Sequence, residues 1–400
     1  MFFGLPRTLI PIYITVFLDV LGLTILIPLL PALAQKLHSS PAVMGAAISV
    51  TAVCATISSP FWGRLSDKVS RKTVLQISQC FSLVGYALLA LSGTVWLLFV
   101  ARAIEGLGGG NLGVAQSFIA DETKPEQREK AFAFSAAAFG IGFVIGPTLA
   151  GQLLRIDVSV PFWVACALQG ANLIVTHFFL EKTKAKSSEK VDTKGIIAEL
   201  KKRPMVNVMG RQFLYIFSFT YFFTIFSLYL QREMHMPPEI SSLFLAVAGA
   251  VGAVVQIFAM ERLNKRFGEY LLSEAAFALG FVAFAAMFFI GQSITIFVAI
   301  LVVWAISGSA LRPTLNKLIA DRAPEKERGA ILGFADSLNN FSMIIAPAAG
   351  GIILGFSPTV IGVLPAIAIA GAFFLGLFGH KREGERNTAK SQDAQATSAA

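Results

Sequence analysis

Apolar runs of membrane-spanning length recur along the whole chain, separated by short polar stretches. Twelve such runs fall at 8–33, 43–62, 74–94, 96–119, 131–154, 160–180, 207–230, 239–260, 271–291, 293–318, 329–354 and 358–379. Each is near the roughly 20 residues a helix needs to cross a bilayer. The pattern predicts an all-α membrane protein with twelve transmembrane helices. The longest polar interruption inside the chain lies at 181–206 and is rich in lysine, with a short amphipathic helix expected at Lys194–Lys202. It divides the sequence into an N-terminal six-helix bundle (1–180), a linker (181–206), a C-terminal six-helix bundle (207–380) and a polar tail (381–400) that reads as disordered.

Composition agrees with this class. Of the 400 residues, 55% are hydrophobic and 14% charged. Soluble domains average about 25% charged. The net charge of +9 would suggest nucleic acid in a soluble chain, but here it is a matter of topology. With both termini on one side, 27 of the 33 Lys and Arg fall in the loops and tails of that side. The opposite loops hold only Lys36, Arg155 and Arg232, and the spans hold Arg102, Arg211 and Arg312. Basic residues mark the cytoplasmic side, so both termini are expected there, in a cell membrane.

Several functions lose support. The three cysteines sit singly in separate spans, and the four histidines are scattered, so no metal or redox site is expected. "GLGGG" at 106–110 lies within a span rather than after a strand, which speaks against a nucleotide loop. No nucleophile–base motif suggests an enzyme, and no ATP-binding motif or cofactor is read. "PALAQ" at 31–35 offers a cleavage-like pattern, but the apolar run before it is about twice the length of a signal peptide.

The two halves repeat. "IADETKPEQREKAFAF" (119–134) is echoed by "IADRAPEKERGAILGF" (319–334), and at an offset of 200 Asp121, Arg128, Pro147 and Gly151 meet Asp321, Arg328, Pro347 and Gly351. Transporters built from parallel repeats hold their substrate at the repeat interface, near mid-membrane.

Four motifs then carry a specific resemblance. "GRLSDKVSRKTVL" (63–75), "RAIEGLGGG" (102–110), "GIGFVIGPTLAG" (140–151) and "LDVLGLTILIPLLP" (18–31) resemble, in order, motifs of loop 2–3 and of helices four, five and one in the major facilitator superfamily. They are closest to its twelve-helix drug:proton antiporters, such as the tetracycline and quinolone efflux pumps. The resemblance implies two pseudo-symmetric bundles that alternate access to a shared cavity. It implies a proton gradient as energy source and a small molecule as cargo, handled by a monomer. It also implies that Gly63, Arg64, Asp67, Arg71 and Lys72 form a cytoplasmic latch, and that Gly142, Gly146, Pro147 and Gly151 form a tight seal or hinge between halves. The tetracycline pumps' third-helix aspartate falls at Gly85, and the quinolone pumps' acids in helices seven and ten fall at Phe223 and Ser309.

The buried charges supply the chemistry. An ionised group deep in a bilayer costs at least about 2.5–3.5 kcal/mol unless it is paired or wet. Asp19 is such a group, near the middle of the first span. On the fourth span Arg102, Glu105, Gly106, Gly109, Gly113 and Gln116 share one helical stripe. Asp19 and Arg102 are expected as neighbours, with Glu105 close by and Asn111 and Gln116 further along the cavity wall. Asp336, Asn339 and Asn340 are expected to line it from the second half, with Tyr221 and Phe222 from the aromatic seventh span. Asp19, Glu105 and Asp336 are the candidates for carrying the proton. Arg312 is expected to extend its charge toward the membrane surface. The reading is proton-coupled efflux of lipophilic neutral or cationic molecules. A proton-coupled carrier of a specific metabolite on the same fold is the alternative, and a non-transporting membrane receptor the third.

Overall fold

The computed structural model describes residues 6–109, 111–123, 125–180, 198–289, 293–324, 328–357 and 360–377. The first half is built from α1 (Ile10–Lys36), α2 (Pro41–Lys68), α3 (Arg71–Ala90), α4 (Val95–Leu107), α5 (Asn111–Glu122), α6 (Pro125–Leu154) and α7 (Val160–Phe179). The second half comprises α8 (Arg203–Glu233), α9 (Pro238–Val254), α10 (Met260–Ala286), α11 (Ile294–Arg322), α12 (Arg328–Phe356) and α13 (Val363–Leu377). Helix starts follow local chemistry. The Ser40, Ser70, Thr94 and Ser293 hydroxyls each accept from a backbone N–H one turn in, which satisfies donors the helix leaves open. The tail from 381 and most of the linker lie outside the described residues.

These helices make the twelve expected crossings, two of them irregular. The fourth breaks between α4 and α5 at "GLGGG". Ser58 donates to the Gly106 and Gly109 carbonyls at 3.2 and 3.4 Å, Trp62 donates to Leu107 at 2.7 Å, and Ser78 donates to Gly108. The carbonyls released by the break are thus satisfied by neighbours, as an apolar medium requires. The eighth crossing, α9, passes through a π-turn at Val255–Ala259 into the start of α10. Gly268 then turns the chain into the ninth at φ 72°, a value glycine adopts without steric cost.

Within the first half, α1 packs on α6 and α7, and α3 on α4 and α7; in the second, α10 packs on α11 and α8 on α12. The halves meet where α2 lies against α12, α6 against α9 and α1 against α8. At the end away from the basic loops the contact is backbone on backbone. A Cβ on Gly45 would strike the Pro347 carbonyl, and one on Gly351 the Pro41 carbonyl. Ser227 also donates to the Ile27 carbonyl across the halves at 2.7 Å. Apart from Leu23, α1 is buried from Val20 to Leu33. Toward the basic end, Gln116, Arg312, Asn316, Asp336 and Asn340 are exposed. Polar side chains at membrane depth face water or protein rather than lipid, so the halves are sealed at the distal end and part toward the basic one.

Candidate functional site

Asp19 is half-buried in α1 and is held by α7. Gln169 Nε2 and Asn172 Nδ2 both donate to its Oδ1 at 3.3 Å. Thr15, one turn earlier, donates to Asn172 Oδ1 at 3.0 Å. That bond commits the amide: with its oxygen facing Thr15, its NH2 faces the carboxylate. Thr176 joins Thr15 at 3.4 Å and accepts from Gln79 Nε2 at 2.9 Å, extending the network to α3. Gln79, Asn172 and Thr176 are fully buried. Because both amides converge on Oδ1, a proton on Oδ2 leaves these two bonds in place.

Arg102 forms a buried ion pair with Glu105, one turn along α4. Tyr86 lies in the fields of both Arg102 and Asp19 and links the two clusters. Its hydroxyl is packed so closely on α1 that a Cβ at Gly22 would come within 2.5 Å of it. The first half therefore gathers three charged side chains, Asp19, Arg102 and Glu105, and the Tyr86 hydroxyl among α1, α3, α4 and α7. Sequence reasoning missed Gln169, Asn172 and Thr176. Their signal was present as polar residues at i, i+3 and i+7 of an otherwise apolar span.

The second half carries two polar clusters. Arg211 of α8 pairs with Glu274 of α10 at 2.5 Å, both almost fully buried, with Arg211 also donating to Ser273 and stacked 4.8 Å from the Phe277 ring centre. Nearer the middle, Gln212 Nε2 donates to Asn316 Oδ1 at 3.2 Å and to Asn339 Oδ1 at 3.3 Å, and Asn339 donates to Asp336 at 3.4 Å. These residues, with Arg312 and Tyr215, line a cavity of about 30 Å³, room for one or two waters. Arg312 does not reach for the membrane surface. Its guanidinium lies 5.4 Å from the Phe139 ring centre on α6, in the other half.

Aromatic rings bridge the halves as a stack. Phe139 and Phe143 of α6, Phe223 and Phe219 of α8, and Trp304 of α11 follow one another with centroids 5.0–6.2 Å apart and interplanar angles of 12–25°. The rings expected at the cavity lie elsewhere. Tyr221 is fully buried and would meet a Cβ on Gly350 of α12. Phe222 is enclosed by Phe226, Phe284 and Trp304. Both are packing residues in this conformation, because they sit on the faces of α8 turned toward its own bundle.

The motif residues also find specific partners. Arg71 binds Asp121 at 2.6 Å and Lys72 donates to the His177 carbonyl at 2.5 Å. Both contacts stay within the first half, so in this conformation they staple α3 to α5 and α7 rather than latch the halves. Arg64 is exposed. The side chains of Asp67 and Asn111, and the surroundings of Gly63, lie outside the described residues. Gly142 and Gly146 seat α6 against α1 of the same half, where added Cβ atoms would meet the Phe17 carbonyl at 2.9 Å and Thr24. Pro147 and Gly151 are buried nearby. Between the halves, the repeat partners Pro347 and Gly351 make backbone contacts with α2, while α6 itself meets the other half along α9.

Residues 12–273 and 212–400 match the profile of the Major Facilitator Superfamily. Similar proteins include the class B tetracycline resistance protein of Escherichia coli, 29% identical over 85% of this chain and 86% of its own length. Multidrug resistance protein 2 of Bacillus subtilis (strain 168) is 24% identical over 84% of this chain and 86% of its length. Among solved structures, a D323A mutant of the nucleoside transporter NupG aligns with a TM-score of 0.80 at 14% identity, covering 93% of this chain and 100% of that one. The chain belongs to the Major Facilitator Superfamily, and it is a multi-pass membrane transporter rather than an enzyme.

Proposed function

We propose that this transporter is a proton-coupled exporter of lipophilic, neutral or cationic small molecules, working by alternating access from a cytoplasmic basic end. Asp19 carries the reading. Its carboxylate is held at one oxygen by two neutral amides, of which Thr15 orients Asn172, and a proton on the other oxygen leaves those two bonds in place. A group of this kind suits a carrier that binds a proton on one side and releases it on the other. The distal seal and the parted basic end give such a group a single side of access at a time. Resistance to tetracycline and to multiple drugs, named for the relatives, supports cargo of the drug type.

A tetracycline–metal chelate is not the cargo expected here, since Gly85 supplies no acid. A carrier for one polar metabolite is the second reading, favoured only by the amide-rich pocket at Gln212, Asn316 and Asn339. Energised inside-out vesicles separate the two. Uptake of a cationic dye driven by an acidic lumen is the expected result. Transport of a sugar phosphate without the dye would overturn the exporter reading. The protein is read as working alone as a monomer, with protons, lipid and substrate as its only partners.

A further inference from the structure

We propose that the face of Phe139 covered by Arg312 is a binding position for a planar aromatic cation, and that Arg312 holds the position in its absence and moves to Asp336 when the substrate arrives. This rests on the exporter reading and names the substrate class of its cavity. The guanidinium is itself a flat, delocalised cation, and it lies 5.4 Å from the Phe139 centroid. A face that accepts one flat cation accepts another, by the attraction of a cation to an aromatic quadrupole. Phe139 ends the stack that runs through Phe143, Phe223 and Phe219 to Trp304, with 25° or less between successive ring planes. A planar ligand on Phe139 would extend that stack by one ring.

Arg312 has somewhere to go. It shares the small cavity with Asp336, and the two charges already act on each other. Gln212 Oε1, on a side chain 4% exposed, has no hydrogen-bond donor among the described residues and belongs to the same lining. A guanidinium has five N–H donors and can serve both acceptors together. The rest of that lining is Tyr215 and Ile216 of α8, Leu315 and Asn316 of α11 and, on the helix of Asp336, Asn339, so apart from the Tyr215 hydroxyl no further titratable group faces the pair in it. Arg312 and Asp336 are both exposed toward the basic end, where a substrate enters.

The test uses the full-length protein in detergent, with ethidium as the probe and binding read by dye fluorescence. Arg312→Gln removes the internal competitor and should tighten binding about 3- to 10-fold, the range of one cation–ring contact. Phe139→Leu should weaken it by a similar factor. Asp336→Asn removes the destination of Arg312 and should weaken binding in the wild-type background but not in Arg312→Gln, a coupling that a double-mutant cycle isolates. Intrinsic tryptophan fluorescence and elution volume check the fold of each variant, and Arg312→Lys, a point charge without the flat face, should fall between wild type and Arg312→Gln. Unchanged or weaker ethidium binding in folded Arg312→Gln overturns the inference, even if proton-driven transport is intact. Tighter binding in Arg312→Gln alongside failure of wild-type transport would uphold this site and remove the exporter reading instead.

Discussion

The Cβ of Glu105 stands where a side chain at Gly85 would have to be: an atom built there comes within 2.9 Å of it, and within 3.3 Å of the Ala101 carbonyl. The third helix lacks an acid because the fourth delivers one into the same space. Gly85→Asp should therefore not create a tetracycline site. It forces α3 from α4 and places a second carboxylate beside the Arg102–Glu105 pair. Overpacking of this kind costs about 1–3 kcal/mol, so we expect a lowered unfolding temperature in detergent and no gain in tetracycline efflux. A stable Gly85→Asp protein with enhanced tetracycline transport would show the helices to be further apart than described.

Asp19→Asn keeps the size of the side chain and an acceptor oxygen for Gln169 and Asn172 while abolishing ionisation. Normal abundance with loss of uphill efflux under an imposed pH gradient is the expected result. Counterflow exchange, which needs no net proton movement, should survive. If Asp19→Asn still concentrates substrate against its gradient, the coupling role passes to Glu105 or Asp336.

Arg211 and Glu274 are almost completely enclosed. Removing one partner strands the other, a change that costs about 3–5 kcal/mol in buried pairs. Arg211→Met or Glu274→Gln alone should thus cut expression sharply. The double change Arg211→Met with Glu274→Leu should recover most of it, measured as monodisperse protein after extraction. Recovery of stability without recovery of transport would assign the pair a functional role as well.

At the distal seal, Gly351→Leu puts a branched side chain against the Pro41 carbonyl. The seal should fail to close and the protein should rest with its distal end open. A cysteine placed at Ser39, whose hydroxyl is buried in the sealed state, would then label faster from outside than in the parent. Equal labelling would show that another contact holds that end shut.

Orientation has its own measurement. A cysteine at Thr94 should react with impermeant reagent from outside the cell, and cysteines in the 181–203 linker only after permeabilisation. External labelling of the linker would invert the topology.

The crossings were legible because apolar length and basic loops are properties of the chain itself. Even the break at "GLGGG" was visible as glycine, although it read as one span. What was not legible is which face of each helix meets which neighbour. Arg102 pairs with Glu105 at i, i+3 on its own stripe, a contact that spacing alone does not rank above others. Tyr221 and Phe222 lie in a helix aromatic on every side, where composition gives no preferred direction. Arg312 was read as a charge in need of water; it is exposed, and the opposite half also sets a ring beside it. Gln169, Asn172 and Thr176 were readable by spacing alone, but neutral amides draw less notice than charges.

At the distal seal two carbonyl oxygens, of Pro347 and Pro41, face glycine Cα atoms, and Ser227 adds a hydrogen bond to Ile27. Among the described residues, parting it breaks no salt bridge between the halves. The step gives up close van der Waals packing and one hydrogen bond, and lipid or water must fill the crevice it opens. Turnover in such a carrier would follow the fluidity and thickness of the surrounding bilayer more closely than ionic strength. The charged groups decide when the gate moves, while the membrane sets the tempo at which it swings.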